Sequence, residues 1–355
     1  MSFSRLRRWL LASPLAASAA AVRAIPARLQ FPRDHGAHPE TRTEWWYLTG
    51  LLGAGGQNPL YGFQLTFFRV KGPAAADHPS RFAARQLLLA HAAVSDLAER
   101  RLLHRQRIAR IGFGLAEADS NDCSLLLRDW SLQRSAAGYA ASMNSPEFSF
   151  KLQLQARQPL LLQGEQGLSR KGPQQTSFYT SEVQLQTQAS LTIKGRQLRL
   201  QGLSWLDHEW SDGLLGPPGA DQAAGWDWLG INLFDGGALT VFRLRRKDGS
   251  LLWRGGSWRR ADGSMLNFAP ADVGMQPLRH WRSAEGAAYP VGWALQTPAG
   301  RMQLKALFDA QEIDARLSTG MRYWEGAAEL LAPDGKRLGL GYLELTGYAG
   351  GMGLL

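Results

Sequence analysis

The 355-residue chain contains one cysteine, Cys123, so no intrachain disulfide can form and a disulfide-stapled scaffold is excluded. Beyond the N-terminus there is no apolar run long enough to cross a bilayer as a helix. Long helical periodicity is almost absent. So is the Gly-x-Ser-x-Gly elbow of many serine hydrolases, although Ser204 and His208 stand close in sequence. His208-Glu209 is not followed by the second histidine of His-Glu-x-x-His, and no cysteine pair exists, so neither a metal nor a cofactor is expected. His35 and His38 could join His208 in space, a proximity that spacing alone does not show.

The first 24 residues carry no acid at all. Arg5, Arg7, Arg8 and Arg23 flank an alanine-rich apolar middle that Pro14 interrupts. This is the pattern of an export signal with a cut after Ala24, and Arg7-Arg8 before Trp9-Leu10-Leu11 hints at twin-arginine export to the periplasm or beyond. An uncleaved anchor is the competing reading. Removing those four arginines takes the formal charge from +10 to +6, with the remaining basic residues spread out. The densest group, "ERRLLHRQRIAR" (99–110), lies beside no nucleic-acid reader motif, so no nucleic-acid partner is expected; peripheral contact with anionic lipid headgroups is a more modest option.

What is present is tryptophan and alternation. A composition 45% hydrophobic and 20% charged is that of a folded chain, and thirteen Trp is high for the length. After residue 40 the dominant signal is period two: "FSFKLQLQ" (148–155) puts Phe148, Phe150, Leu152 and Leu154 on one face. "LTIKGRQLRLQGLSW" (191–205) reads as two strands around Lys194-Gly195. Asp235-Gly236, Asp248-Gly249, Asp262-Gly263 and Pro333-Asp334-Gly335 mark further hairpins. "LLLAHAAVSDLAERRLL" (87–103) is ambiguous and is read as strand, turn, strand.

Short antiparallel strands over this length predict an all-β chain of barrels or sandwiches in two domains. The boundary is expected in "SDGLLGPPGADQAAG" (211–225), giving residues 25–212 and 213–355.

"GLSWLDHEWSDG" (202–213) places Asp207, His208, Glu209 and Asp212 among Trp205, Leu206 and Trp210. If it is a strand, Trp205, Asp207 and Glu209 share one face while Leu206, His208 and Trp210 share the other. His208 and Trp210 would then act together in a pocket, with Asp207 and Glu209 pointing elsewhere. A hydrogen-bonded clasp between domains is the competing reading. "TEWWYLTG" (43–50) is read as an opening strand that seats either Trp45 or Trp46 inward, with Glu44 in reach of the pocket.

Three stretches together, "FPRDHGAHPETRTEWWYLTGLL" (31–52), "WLDHEWSDG" (205–213) with "GWDWLGINLFDG" (225–236), and "YWEGAAEL…GYLELTGY" (323–348), resemble the AttH-type lipocalin-like secreted proteins, which include the carotenoid 1,2-hydratases and are also called predicted secreted hydrolases. The resemblance implies two lipocalin-like antiparallel β-barrel domains packed side by side, and an apolar isoprenoid or lipid-like ligand near their junction. It also implies a hydro-lyase that protonates a terminal isoprenoid double bond and adds water. On that reading Asp227 is the acid, His208 positions or deprotonates the water, and Trp210 and Trp228 face the cation. Trp226, Glu44, Trp45 and Trp46 join Trp228 as ligand-binding candidates. His208-Glu209-Trp210 matches the His-x-Trp pair of the hydratases. Their aromatic-x-Asp pattern is not matched, because Trp226-Asp227 lacks the spacer and Leu233-Phe234-Asp235 is differently spaced. The alternatives are a non-catalytic carrier of a lipid or pigment, an accessory protein of an ABC transporter, and a scaffold.

Overall fold

The computed structural model describes residues 28–54, 58–72, 78–80, 82–213 and 223–350. The export signal expected over 1–24, and residues 214–222 of the expected boundary stretch, lie outside the described residues. Apart from two short 3-10 turns, the regular elements among these residues are strands, as the alternation predicts. No helix among them is long and apolar enough to cross a membrane.

The strands form two antiparallel sheets, one of thirteen strands and one of ten. In the first, the central strand Thr43–Gly53 pairs with Tyr61–Lys71 on one side and Arg196–Ser211 on the other. The order runs outward to Arg101–Arg110 at one end and through Thr176–Ile193 and Phe148–Gln155 to Ala116–Ala118 at the other. The sheet curls until its ends meet: Arg107 ion-pairs with Asp129 and lays its guanidinium 4.7 Å over the Trp130 ring. Trp46, Leu48, Phe67, Leu206 and Phe150 fill the barrel so made.

The second sheet is built likewise around Gly225–Leu233, which pairs with Ala238–Arg245 and Arg337–Leu345. Leu229, Ile231, Trp293, Trp324 and Leu343 fill its interior. The chain is all-β, two lipocalin-like barrels side by side.

The hairpin signals are in their expected places. Lys194 (φ 52°) and Gly195 (φ 74°) turn the chain between Ile193 and Arg196, a left-handed pair that suits a two-residue hairpin. The ambiguous 87–103 segment is strand Gln86–Asp96, a turn with Arg100 at φ 52°, and strand Arg101–Arg110.

Strand alternation decides which residues leave each barrel. On Thr43–Gly53, Trp46 and Leu48 point inward, whereas Tyr47 and Leu51 join a third cluster between the sheets, with Trp205, Trp228, Phe242 and Tyr342. A bulge in Thr176–Ile193 between Glu182 and Leu185, with Gln184 at φ 56°, reverses that strand's parity. Before it, Tyr179 faces the junction; after it, Leu185 and Leu191 face the barrel. Gln184 also ties the sheets together: its amide N–H donates to Asn232 Oδ1 (2.8 Å) and its side chain to the Leu233 carbonyl (2.9 Å).

Candidate functional site

Where the two sheets face one another they enclose a narrow slot of about 50 Å3. Trp45 and Tyr47 of one sheet and Trp226, Trp228, Phe242 and Leu244 of the other form its apolar walls. The Trp45 and Trp226 rings lie nearly parallel with centroids 6.4 Å apart, and Tyr47 meets Trp228 edge-on at 5.2 Å. Trp45 and Trp226 are half-buried and form the rim.

Three carboxyls and one amine interrupt this apolar lining: Asp207, Glu209, Glu344 and Lys171. Asp207 receives hydrogen bonds from the Tyr179 hydroxyl (2.7 Å), the Ser181 hydroxyl (2.5 Å) and the Trp205 indole (2.6 Å). Burial outweighs these donors and pushes its carboxyl up to about 7. Trp228 donates its indole N–H to the same Tyr179 hydroxyl (3.0 Å), so the opposite sheet helps to orient that donor. Glu209 is ion-paired with the buried Lys171 at 2.8 Å, and the Lys171 ammonium lies 4.5 Å from the Tyr179 ring centroid and 4.4 Å from that of Phe242.

Glu344, from the second sheet, accepts the Trp226 indole N–H at 2.9 Å. Burial pushes it up to about 7 as well, and the Asp207 charge adds to the rise. Directly opposite Glu344 in the strand pairing stands Glu325, fully buried, with the Tyr47 and Tyr323 hydroxyls as its polar neighbours and no hydrogen bond of full geometry to either oxygen. Burial and the Glu344 charge drive its carboxyl well above the ordinary range. Two carboxyls of like sign in one dry place cannot both ionise cheaply, so this pair retains a proton.

A second cluster lies inside the first barrel, on the other face of the same two strands. Glu44 Oε1 meets His38 Nδ1 at 2.7 Å and His208 Nε2 at 2.8 Å, while Glu44 Oε2 accepts from Arg69 Nε at 2.7 Å. Burial alone would raise the Glu44 carboxyl, but the hydrogen bonds from His208 and His38 and the Arg69 charge hold it well below the ordinary range. Burial lowers His208, against the pull of Glu44. Trp46 stacks on His208 (4.6 Å) and Trp210 on His38 (3.9 Å, 7° between planes). His38 and Trp210 border a roomier cavity of about 730 Å3 at the mouth of this barrel. The donor atoms of His38, Glu44 and His208 all lie within 4.8 Å of one another, a set able to hold a metal ion.

The residues singled out by sequence therefore fall into three places. Trp45, Trp226 and Trp228 line the slot. Glu44, Trp46, His208 and Trp210 belong to the cluster inside the barrel, so the two tryptophans of "TEWWYL" serve different cavities. Asp227 is in neither. Flanked by Trp226 and Trp228, it points the opposite way, into the second barrel, where Arg243 and Arg245 (3.1 Å) clamp it and the Tyr348 hydroxyl donates to it (2.8 Å). The expected division of "WLDHEW" into two faces is present: Asp207 and Glu209 face the slot, while His208 lies in the cluster inside the barrel and Trp210 lines the larger cavity. Lys171, Tyr179, Glu325 and Glu344 were not anticipated as site residues. The alternation in "YLELTGY" does carry a glutamate on one face with Tyr342, and that was the available signal.

The AttH-like family matches residues 23–348. No curated protein matches the sequence. Among solved structures, an AttH-type protein of Nitrosomonas europaea is similar at 43% identity and a TM-score of 0.83, over 92% of this chain and 99% of that one. Two more distant likenesses are of the fold alone: kievitone hydratase of Nectria haematococca, 14% identical with a TM-score of 0.66 over 93% of this chain and 95% of its own, and CghA, 14% identical with a TM-score of 0.52 over 92% and 95%. The chain belongs to the AttH-like family.

Proposed function

Starting from that membership, we propose that the protein holds the end of an apolar isoprenoid-like ligand in the junction slot and adds water across its terminal double bond, as a carotenoid 1,2-hydratase-like hydro-lyase. One observation carries this reading: two buried carboxyls, Asp207 and Glu344, enter one slot lined by tryptophan from opposite sheets, where burial pushes both up to about 7. Near neutral pH such groups are populated both as acid and as base, which is what hydration of an alkene requires.

The residues divide the work by their surroundings. Glu344 has one donor, Trp226, and a second buried carboxyl behind it, so it keeps its proton and serves as the acid. Asp207 has three donors ready for its anion and serves as the base. Glu344 delivers a proton to the less substituted alkene carbon, leaving a tertiary cation between the faces of Trp45, Trp226 and Trp228. Each ring stabilises such a cation by about 0.5–2 kcal/mol. Water adds to the cation and Asp207 takes the surplus proton, so the product is a tertiary alcohol and the pair has only exchanged one proton. A slot of about 50 Å3 suits the branched tip of a chain together with a water, the rest lying along the half-buried rim. His208 and Trp210 contribute from the opposite face of strand Arg196–Ser211, holding the segment that presents Asp207 and Glu209.

The test is turnover of acyclic isoprenoids with terminal double bonds in 18O-labelled water. Product with one labelled oxygen, lost in Asp207→Asn and Glu344→Gln while binding persists, is the expected result. Binding without turnover in the wild type would sink the reading. That outcome would favour a carrier of a lipid or pigment, alone or beside an ABC transporter, for which the specific observation is the larger cavity, about 730 Å3, at the barrel mouth.

A further inference from the structure

We infer that His38, Glu44 and His208 form a binding site for one divalent transition-metal ion, Zn2+ by its donor set, with an open position toward the cavity at the mouth of the first barrel. Two imidazole nitrogens and a carboxylate oxygen converge there, and both nitrogens touch the same oxygen, Glu44 Oε1, at 2.7 and 2.8 Å. A movement of a few tenths of an ångström apart would seat all three around an ion with bonds of about 2.0–2.2 Å. Two histidines and a glutamate with a remaining open position is a donor set used by water-activating zinc sites.

Two of the three donors have the outer-shell partners a metal site uses, His38 and Glu44, whereas His208 Nδ1 is buried without one. A ligating histidine is usually fixed by a carboxylate on its other ring nitrogen, and His38 Nε2 faces Asp34 Oδ1 at 3.3 Å. Asp34 is itself held by the Gln30 backbone N–H (2.5 Å) and by Arg33 (2.7 Å). A ligating carboxylate is usually held by its second oxygen. Glu44 Oε2 receives Arg69 Nε (2.7 Å) and the His38 backbone N–H (2.9 Å), while Oε1 takes the two rings and only the longer branch of that N–H (3.2 Å). Trp46 and Trp210 stack against the imidazoles and fix their planes. Arg69 satisfies one oxygen only, and the carboxylates of Asp34, Glu40 and Asp212 along the cavity outnumber Arg33 there, so the field at the mouth favours a cation.

Glu44 and His208 are 164 residues apart, and the site exists because Glu44 and Trp210 are directly opposite in the strand pairing, with His208 opposite Trp46. It shares no side chain with the slot, so it stands or falls independently of the hydration reading.

The experiment uses the full chain without an affinity tag, stripped with a chelator, dialysed and titrated with Zn2+ by calorimetry. Co2+ then serves as a spectroscopic probe. About one equivalent of saturable Zn2+ is expected, with the d–d absorption of a four- or five-coordinate site on Co2+ substitution. His38→Ala, at the cavity rim, should abolish that absorption, and Asp34→Asn should weaken Zn2+ binding about 10–100-fold. Binding that is absent in the wild type, or unchanged in His38→Ala with that variant folded, would overturn the inference. A six-coordinate Co2+ spectrum would do the same.

Discussion

Asp207 and Glu344 look into one slot from opposite sheets, and neither has a cation bonded to it. The nearest positive side chain in the slot, Lys171, is engaged by Glu209. Burial therefore dominates both, holding them at about 7 where free carboxyls ionise near 4. Between those values the folded chain keeps protons that the unfolded chain has released. Their contribution is thus complete at low pH and is lost as pH rises toward about 7, by up to about 1.4 kcal/mol per pH unit for each group. Asp207→Asn removes one such group. The unfolding free energy of the variant relative to wild type should climb steadily from pH ~4 to ~7 and level off above. Denaturant titrations across that range measure it, and a difference independent of pH would show that Asp207 ionises as an ordinary carboxyl.

Asp227 should behave as structure. Arg243 and Arg245 both depend on it, and its own side chain is fully buried. Asp227→Ala leaves two guanidinium groups in the second barrel without their counter-ion, which costs about 3–5 kcal/mol. Guanidinium-chloride midpoints should fall accordingly. A variant with unaltered stability and abolished turnover would instead return Asp227 to the chemistry.

These two aspartates show what was legible in the sequence and what was not. Period-two alternation was enough to divide "WLDHEW" correctly into two faces, and the same rule applied to "GWDWLG" separates Asp227 from its flanking tryptophans. What alternation cannot say is which face meets a neighbour, because both faces of these central strands are buried. One face looks into a barrel and the other into the junction. That choice depends on how two sheets dock, with Trp45 against Trp226 and Tyr47 against Trp228, and these pairs are far apart in sequence. Lys171 was hidden for another reason: it lies outside any strand, in a polar stretch that reads as loop. The antiparallel strands themselves were legible because hairpin turns with left-handed residues are local signals, whereas alternation and turns left barrel and sandwich open and only the family resemblance pointed to barrels.

Trp226 tunes Glu344 through a single hydrogen bond, since its indole N–H is the side-chain donor to that carboxyl. The bond favours the charged form and so works against burial. Trp226→Phe keeps a flat ring at the rim but removes the donor, and the Glu344 ionisation should move above its value of about 7. The infrared C=O stretch of the protonated carboxyl, followed against pH, reads this directly; Glu344→Gln identifies the band. No upward shift would mean that the indole does not reach Glu344 in solution.

Gly62 tests the junction from the side away from the chemistry. A Cβ at this position would come within 2.5 Å of the Tyr342 hydroxyl and 3.3 Å of the Ala327 Cβ, both on the opposite sheet. The backbone of strand Tyr61–Lys71 thus approaches the second barrel closely because residue 62 has no side chain. Gly62→Ala drives a wedge between the sheets, at a cost of about 1–3 kcal/mol for an overpacked buried site. Tyr342→Phe shortens the opposing ring by its oxygen, so the double variant should recover part of the loss. Thermal melts of the two single variants and the double provide the cycle. If the losses simply add, the clash is not where the structure puts it, and the packing of Trp45 and Trp228 over the slot would need another explanation. Partial recovery would instead fix the sheet separation on which the slot, and with it the facing of Asp207 and Glu344, depends.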